Sequence, residues 1–177
     1  LAELWNGRDR GTGYWLLLVC RLCICLVIAV QTGYDLRLAV TDEIRCREDE
    51  QKTQQLLERL AGADGGELPQ LPVVFVGYQE ADLPEWCRRT EMYGWSFYGW
   101  DYSMENPTGA THRICGFVQA YTGNVLREDA TEEQKRHAVE LAGQMKDFPE
   151  EGSVLVTEDC VVVRLSEVKE QMPTDWW

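Results

Sequence analysis

Aromatic rings and charges that could bind a sugar crowd into one short segment of this sequence. Seven aromatic residues fall within 17 positions, namely Trp86, Tyr93, Trp95, Phe97, Tyr98, Trp100 and Tyr102. A ring face stacks on the apolar face of a sugar, while nearby charged groups bind its hydroxyls. The candidate ligand-binding residues are therefore Trp95, Tyr98, Trp100, Asp101 and Arg113. One alternative is that these rings sit at the membrane interface. Another is that they fill the core of a small domain, and we expect most of them to be buried.

No motif in the sequence identifies a catalytic centre. The glycine-rich nucleotide-binding loops and the serine elbow of hydrolases do not occur in it. In a chain this rich in acidic residues, two carboxylates close in sequence, such as Asp101 and Glu105, are weak evidence for an acid–base pair. The two histidines, His112 and His137, do not stand at ligand spacing from paired cysteines. We therefore assign no catalytic residue and expect neither a metal nor a cofactor.

The seven cysteines do not define a redox or disulfide site. "CRLC" (residues 20–23) has the form of a thioredoxin-type motif, but it lies inside an apolar run instead of after a strand. We interpret these thiols as facing lipid or packed between helices. Four more cysteines, Cys46, Cys87, Cys115 and Cys160, allow three disulfide pairings, and their spacing selects none of them.

The overall charge argues against nucleic acid as a partner. Lysine and arginine number 17 against 30 aspartate and glutamate residues, which gives a net charge of −13. A surface of this sign repels phosphate backbones and anionic lipid.

The apolar run at residues 14–30 is long enough to cross a bilayer when it is extended back to Gly11. We predict a transmembrane helix at residues 11–32, preceded by the end of an upstream region (residues 1–10) and followed by a separate domain outside the bilayer (residues 33–177). A signal peptide and a buried soluble helix are the alternatives. Arg21 in mid-span costs about 2.5–3.5 kcal/mol, which is reduced if the side chain snorkels or faces other helices. The flanking arginines do not decide the orientation.

The rest of the chain alternates helices and short strands. We predict a long helix from Asp35 that stops at Gly62 and carries a solvated charged middle, and then a buried strand "VVFVG". A short helix in residues 83–94, a strand or tight turn at "SFYGWD", and a helix closed by Gly123 follow. Thr131 and Gln134 form a capping box, and residues 154–156 and 161–165 form a hairpin. The fold class is therefore α/β, a small sheet covered by helices and preceded by one transmembrane helix.

The order of these segments resembles the C-terminal part of the bacterial Gtr-type glucosyltransferases, relatives of the O-antigen glucosyltransferases of serotype-converting phages. The likeness rests on a final span and long helix followed by "PVVFVG", "SFYGWD", "HRICGFV" and "MKDFPEEGSVLVTEDCVVVRLS", and it covers residues 11–167.

The resemblance implies a membrane transferase of the GT-C kind in the bacterial cytoplasmic membrane, with residues 33–177 as an extracytoplasmic α/β domain. Such an enzyme moves glucose from a polyprenyl-phosphate donor to a cell-surface glycan, with catalytic carboxylates in its upstream multi-span region. Its partners would be the upstream transmembrane helices, polyprenyl-linked glucose, the glycan and the membrane, and this segment would be accessory. The alternatives are a non-enzymatic single-span module for envelope binding or sensing, and a structural subunit of a membrane complex.

Overall fold

The computed structural model describes residues 2–90 and 93–169, with backbone alone for residues 2–13. The elements are α1 (Ala2–Ala63), β1 (Val73–Val76), α2 (Ala110–Thr122), α3 (Glu132–Ala142), β2 (Val154–Val156) and β3 (Val161–Arg164). The chain divides into two compact units, Leu1–Val40 and Thr41–Trp177. Residues 91–92 of the predicted short helix and residues 170–177 of the predicted domain lie outside the described residues.

The first unit consists of the N-terminal part of α1. Its most apolar 18-residue window has a mean hydropathy of 2.3, and none of that window is buried. Large apolar side chains such as Leu16, Leu22 and Ile28 are exposed although they point in different directions around the helix. Within the part of the chain that the structure describes, α1 is the one helix long and apolar enough to cross a membrane. This finding indicates membrane association.

α1 continues without interruption where the sequence predicts two helices, a span and a second helix from Asp35. Gly33 marks the expected break, but a glycine inside a helix costs only about 1 kcal/mol relative to alanine and does not end it. The helix ends at Ala63, one residue after the predicted stop at Gly62. Gly65 and Gly66 follow with φ values of 73° and 105°, a left-handed backbone that no helix can continue through.

The three strands form one sheet, as predicted, and their order in it is β1-β3-β2. β1 pairs in parallel with β3, with Val73 opposite Val161, and β2 pairs antiparallel with β3, with Val154 opposite Val163. The hairpin turn between β2 and β3 is held by the Thr157 hydroxyl, which accepts a hydrogen bond from the Cys160 amide at 3.0 Å. The predicted α/β sheet and its hairpin are confirmed.

Alternate side chains of the buried strands point to opposite faces, so two separate cores form. On one face the strands pack against α2 and the C-terminal end of α1; the core includes Leu56, Leu60, Val73, Phe75, Ile114, Val118, Val161 and Val163. On the other face they pack against α3, through Val74, Val76, Ala138, Ala142 and Val162. Helices cover both faces of the sheet, which is why its central valines can be fully buried.

The local signals at helix ends are confirmed. Thr131 and Gln134 form the predicted capping box at the start of α3. α2 ends at Gly123, whose φ of 75° places it in the left-handed conformation typical of a glycine cap.

The aromatic segment differs from its prediction in part. "SFYGWD" forms a tight turn, with the amides of Gly99 and Trp100 both donating to the Ser96 carbonyl. Residues 83–90 and 93–94 form no helix. The physical reason is tertiary: the Arg89 side chain donates to the Glu80 carboxylate and the Ala81 carbonyl. These contacts fold the segment back on residues 80–81, and the Cys87 amide donates to the Pro84 carbonyl at 2.8 Å in a turn.

Candidate functional site

The aromatic segment divides its rings between the core and the surface. Tyr98 and Tyr102 are buried, and Trp95, Phe97 and Trp100 are partly buried. Trp86 and Tyr93 are 48% and 49% exposed. Two of the seven rings are buried, so the expectation that most of them are buried is wrong.

A row of aromatic rings, here called the aromatic ledge, consists of Trp100, Phe97, Phe117 and Tyr121. Phe97 lies 6.2 Å from Trp100 and 4.6 Å from Phe117 between ring centroids, and Phe117 lies 6.0 Å from Tyr121. Successive ring planes differ by only 25°, 21° and 7°. Phe117 and Tyr121 stand one helical turn apart on α2, so the tight turn and α2 build the ledge together.

An ion pair closes one end of the aromatic ledge. Arg113 lies one turn before Phe117 on α2, and its Nε donates to Asp101 Oδ2 at 2.6 Å. The guanidinium carbon of Arg113 is also 5.2 Å from the centroid of the Trp100 ring, a cation–π distance. The side chains of Arg113 and Asp101 are 43% and 45% exposed. The structure thus brings together three of the five predicted binding residues, Trp100, Asp101 and Arg113.

The other two predicted residues have structural roles. Tyr98 has no exposed surface, and its hydroxyl lies 2.8 Å from the Thr53 hydroxyl. Burial raises the pKa of Tyr98, which is held as a neutral phenol. Its inclusion among the ligand-binding residues is therefore wrong, because a ring enclosed on all sides cannot stack on a ligand. Trp95 donates its indole N–H to the Thr90 carbonyl at 2.8 Å, and Arg89 lies 5.7 Å from its ring.

A buried carboxylate holds the tight turn in place. Asp49 on α1 is fully buried; it accepts a hydrogen bond from the Ser96 hydroxyl at 2.5 Å and another from the Phe97 amide at 3.0 Å. Burial raises the pKa of Asp49, although the two hydrogen bonds favour the ionised form. A carboxylate that accepts two donors from one turn fixes both the position and the direction of the chain there.

Arg45 connects this carboxylate to the aromatic ledge. Its Nη1 is 3.5 Å from Asp49 Oδ2, its Nη2 donates to Asp42 at 2.7 Å, and its guanidinium carbon is 4.8 Å from the centroid of Phe97. Only 8% of Arg45 is exposed. The sequence predicts a solvated face for this charged part of α1, and that prediction is wrong for Arg45 and Asp49.

Sequence reasoning missed the residues of the ledge that lie outside the aromatic segment. Phe117 and Tyr121 follow Arg113 at intervals of four residues, which places all three on one face of a helix. That spacing could have identified Phe117 and Tyr121 from the sequence as neighbours of Arg113. Arg45 and Asp49 also stand four apart, but exposed helices carry the same charge pairs, so only their burial distinguishes them.

The described thiols and carboxylates do not assemble into a metal or redox centre. All seven cysteines are free, with Cys115 and Cys160 buried. In residues 14–90 and 93–169, no three histidine, cysteine, aspartate or glutamate side chains lie together as a metal ion would require. The site's chemistry is that of a binding surface, flat rings beside a fixed pair of opposite charges. A scan against protein-family models, a search of curated proteins and a search of solved structures each find no match to this chain.

Proposed function

We propose that this chain is the last span and the C-terminal domain of a membrane glucosyltransferase, and that its aromatic ledge binds the acceptor glycan. The enzyme moves glucose from a polyprenyl-phosphate donor to a cell-surface glycan, with this domain outside the bacterial cytoplasmic membrane. The observation that carries the proposal is the contact of Trp100 with the Arg113–Asp101 pair. The order of the sequence motifs supplies the class of enzyme.

The chemistry of the ledge suits a sugar. The C–H face of a pyranose packs on aromatic surface, and its hydroxyl groups both donate and accept hydrogen bonds. Arg113 binds Asp101 through Nε, and a guanidinium has four further N–H bonds. Asp101 supplies acceptors beside it. Because the pair is half-exposed, a sugar can reach it without breaking it.

The domain's role in this proposal is to position the acceptor and not to catalyse transfer. A donor attached to a polyprenyl chain stays at the bilayer, so its reactive carbon meets a catalytic carboxylate held there. Asp101 is engaged with Arg113, and Asp49 is buried beneath the turn. Catalysis is therefore assigned to the upstream transmembrane region, whose helices are the chain's partners.

The alternative is a non-enzymatic module anchored by a single span that binds or senses a component of the cell envelope. One observation favours it: the ledge combines groups that bind a ligand and leaves its nearest carboxylate in an ion pair. The genomic sequence upstream of Leu1 discriminates the two functions. Eight or more further apolar spans would support the transferase, and a start codon directly before Leu1 would support the module.

The ledge is tested by titrating the chain, in detergent micelles, with defined gluco-oligosaccharides and following binding by saturation-transfer NMR. We expect Trp100→Ala to abolish the transfer signal. Trp86→Ala is the matched control, since Trp86 is also a partly exposed indole but lies outside the ledge. Equal binding by both variants would show that the ledge is not the glycan site.

A further inference from the structure

Arg21 shares one face of α1 with three other side chains of the span that carry a polar atom. At 100° per residue, Tyr14, Arg21, Cys25 and Thr32 lie within about 40° of a single line along the helix, whereas Gln31 lies about 100° from that line. Leu18 and Ile28 complete this face, here called the Arg21 stripe. Its members recur at intervals of four and three residues, the spacing of a helix that packs lengthwise against another helix.

The opposite face of the same helix carries no charged side chain. It consists of Leu16, Val19, Cys23, Leu26 and Val30, all of them exposed. A charged residue within a span almost always faces other protein.

Arg21 lies near the middle of the span, far along the helix from the charged residues that flank it. The flanking charged residues, Arg10 and Asp35, stand 11 and 14 positions away in the sequence, or about 17 and 21 Å along the helix. Snorkelling serves long side chains near the ends of a span. Asp35 is also the first acidic residue after Arg21, so α1 offers no carboxylate at this depth on that side.

We propose that the Arg21 stripe docks a second transmembrane helix that carries an aspartate or glutamate at the bilayer midplane. This inference rests on the span crossing the membrane, as in the proposed function. The partner is not a second copy of this chain, since residues 10–34 contain no acidic residue and two copies would bring two Arg21 side chains together.

The rest of the Arg21 stripe suits such a partner. Cys25 and Thr32 are small, and small residues allow two helix backbones to approach closely. The Thr32 hydroxyl can also hydrogen-bond across the interface. The guanidinium of Arg21 matches a carboxylate in planar, two-bond geometry, which makes the pair specific as well as attractive.

The test measures association of the full chain, reconstituted in phosphatidylcholine vesicles, with synthetic polyleucine transmembrane peptides by energy transfer between terminal dyes. The peptides differ only at the central position, which is Glu, Lys or Leu. We expect the Glu peptide to bind about fivefold to thirtyfold more tightly than the Leu peptide. The Lys peptide should not exceed the Leu peptide. Alkaline extraction shows in each case that the chain is integrated in the bilayer.

Variants locate the contact. Arg21→Leu should remove the preference for Glu, and Cys25→Leu on the stripe should weaken binding of the Glu peptide. Cys23→Leu makes the same chemical change on the opposite face and should leave binding unaltered.

Four results would overturn the proposal: equal binding of the Glu and Leu peptides, a preference that survives Arg21→Leu, equal effects of the two cysteine variants, or self-association as tight as binding of the Glu peptide. If the chain is integrated in the bilayer but shows no preference for the Glu peptide over the Leu peptide, this proposal alone is wrong, because glycan binding is measured separately. If alkali extracts the chain from the vesicles, both this proposal and the membrane part of the proposed function are wrong.

Discussion

Gly109, at the start of α2, is pressed against Asp101 so closely that a β-carbon on Gly109 would lie 1.9 Å from the Asp101 carbonyl oxygen. Asp101 itself has a φ of 67°, a left-handed conformation that non-glycine residues adopt at a cost. The close contact with the backbone of Gly109 therefore fixes the position of Asp101, which pairs with Arg113, although an aspartate does not favour this backbone conformation.

Gly109→Ala should displace the tight turn and destabilise the domain by about 1–3 kcal/mol, the usual cost of forcing extra atoms into a filled space. The matched control is Gly116→Ala on α2, where an added β-carbon meets nothing within 4 Å. That change should stabilise the helix by about 1 kcal/mol. Urea unfolding in micelles, followed by tryptophan fluorescence, measures both. Equal stabilities would contradict the close approach.

Asp49→Asn should change how stability depends on pH. Burial raises the pKa of Asp49 above its ordinary value of 3.8, so the folded chain holds this proton more tightly than the unfolded chain does. The contribution of Asp49 to stability is complete below the unfolded pKa and is lost as pH rises through the folded pKa.

The measurement is the free energy of unfolding of the natural chain minus that of the Asp49→Asn variant across this pH range. We expect the difference to fall as pH rises from below 3.8 and to level off above the folded pKa. An increase with pH would mean that the hydrogen bonds from Ser96 and Phe97 outweigh burial.

Cys115 should resist alkylation in the folded chain. It is 5% exposed, and burial raises its pKa to about 12, so little thiolate forms at neutral pH. Cys87, which is partly exposed, is the internal comparison. Mass spectrometry after brief iodoacetamide treatment should find Cys87 modified and Cys115 intact, and denaturant should expose both. Prompt labelling of Cys115 without denaturant would contradict its burial beside Val118.

Residues 33–177 expressed alone should fold and yet transfer no sugar from polyprenyl-phosphate glucose. The unit Thr41–Trp177 is compact and contains both cores, so folding needs no upstream helix. Circular dichroism and a transfer assay with an acceptor glycan test the two expectations. Turnover by this fragment would move catalysis into the domain, with Asp101 and Glu105 as the first residues to replace.

Elements with local signals can be predicted from the sequence. Runs of valine predict β1 and β3, because a strand buried on both faces needs apolar side chains throughout. The apolar run of β2 predicts a strand as well, although Leu155 is exposed. The capping box of Thr131 and Gln134 and the glycine after α2 fix helix ends through contacts within a few residues. The α/β class follows from the alternation of these elements.

The roles of the charged and aromatic residues depend on tertiary packing. Asp49 and Arg45 read as an exposed helical pair until the tight turn is packed over them. Tyr98 and Trp100 are two residues apart and similar in type, yet one is enclosed and the other joins the aromatic ledge. Phe117 reaches Phe97 across 20 positions of sequence. Burial and alignment of this kind depend on which surfaces meet, and no local pattern of side chains specifies that.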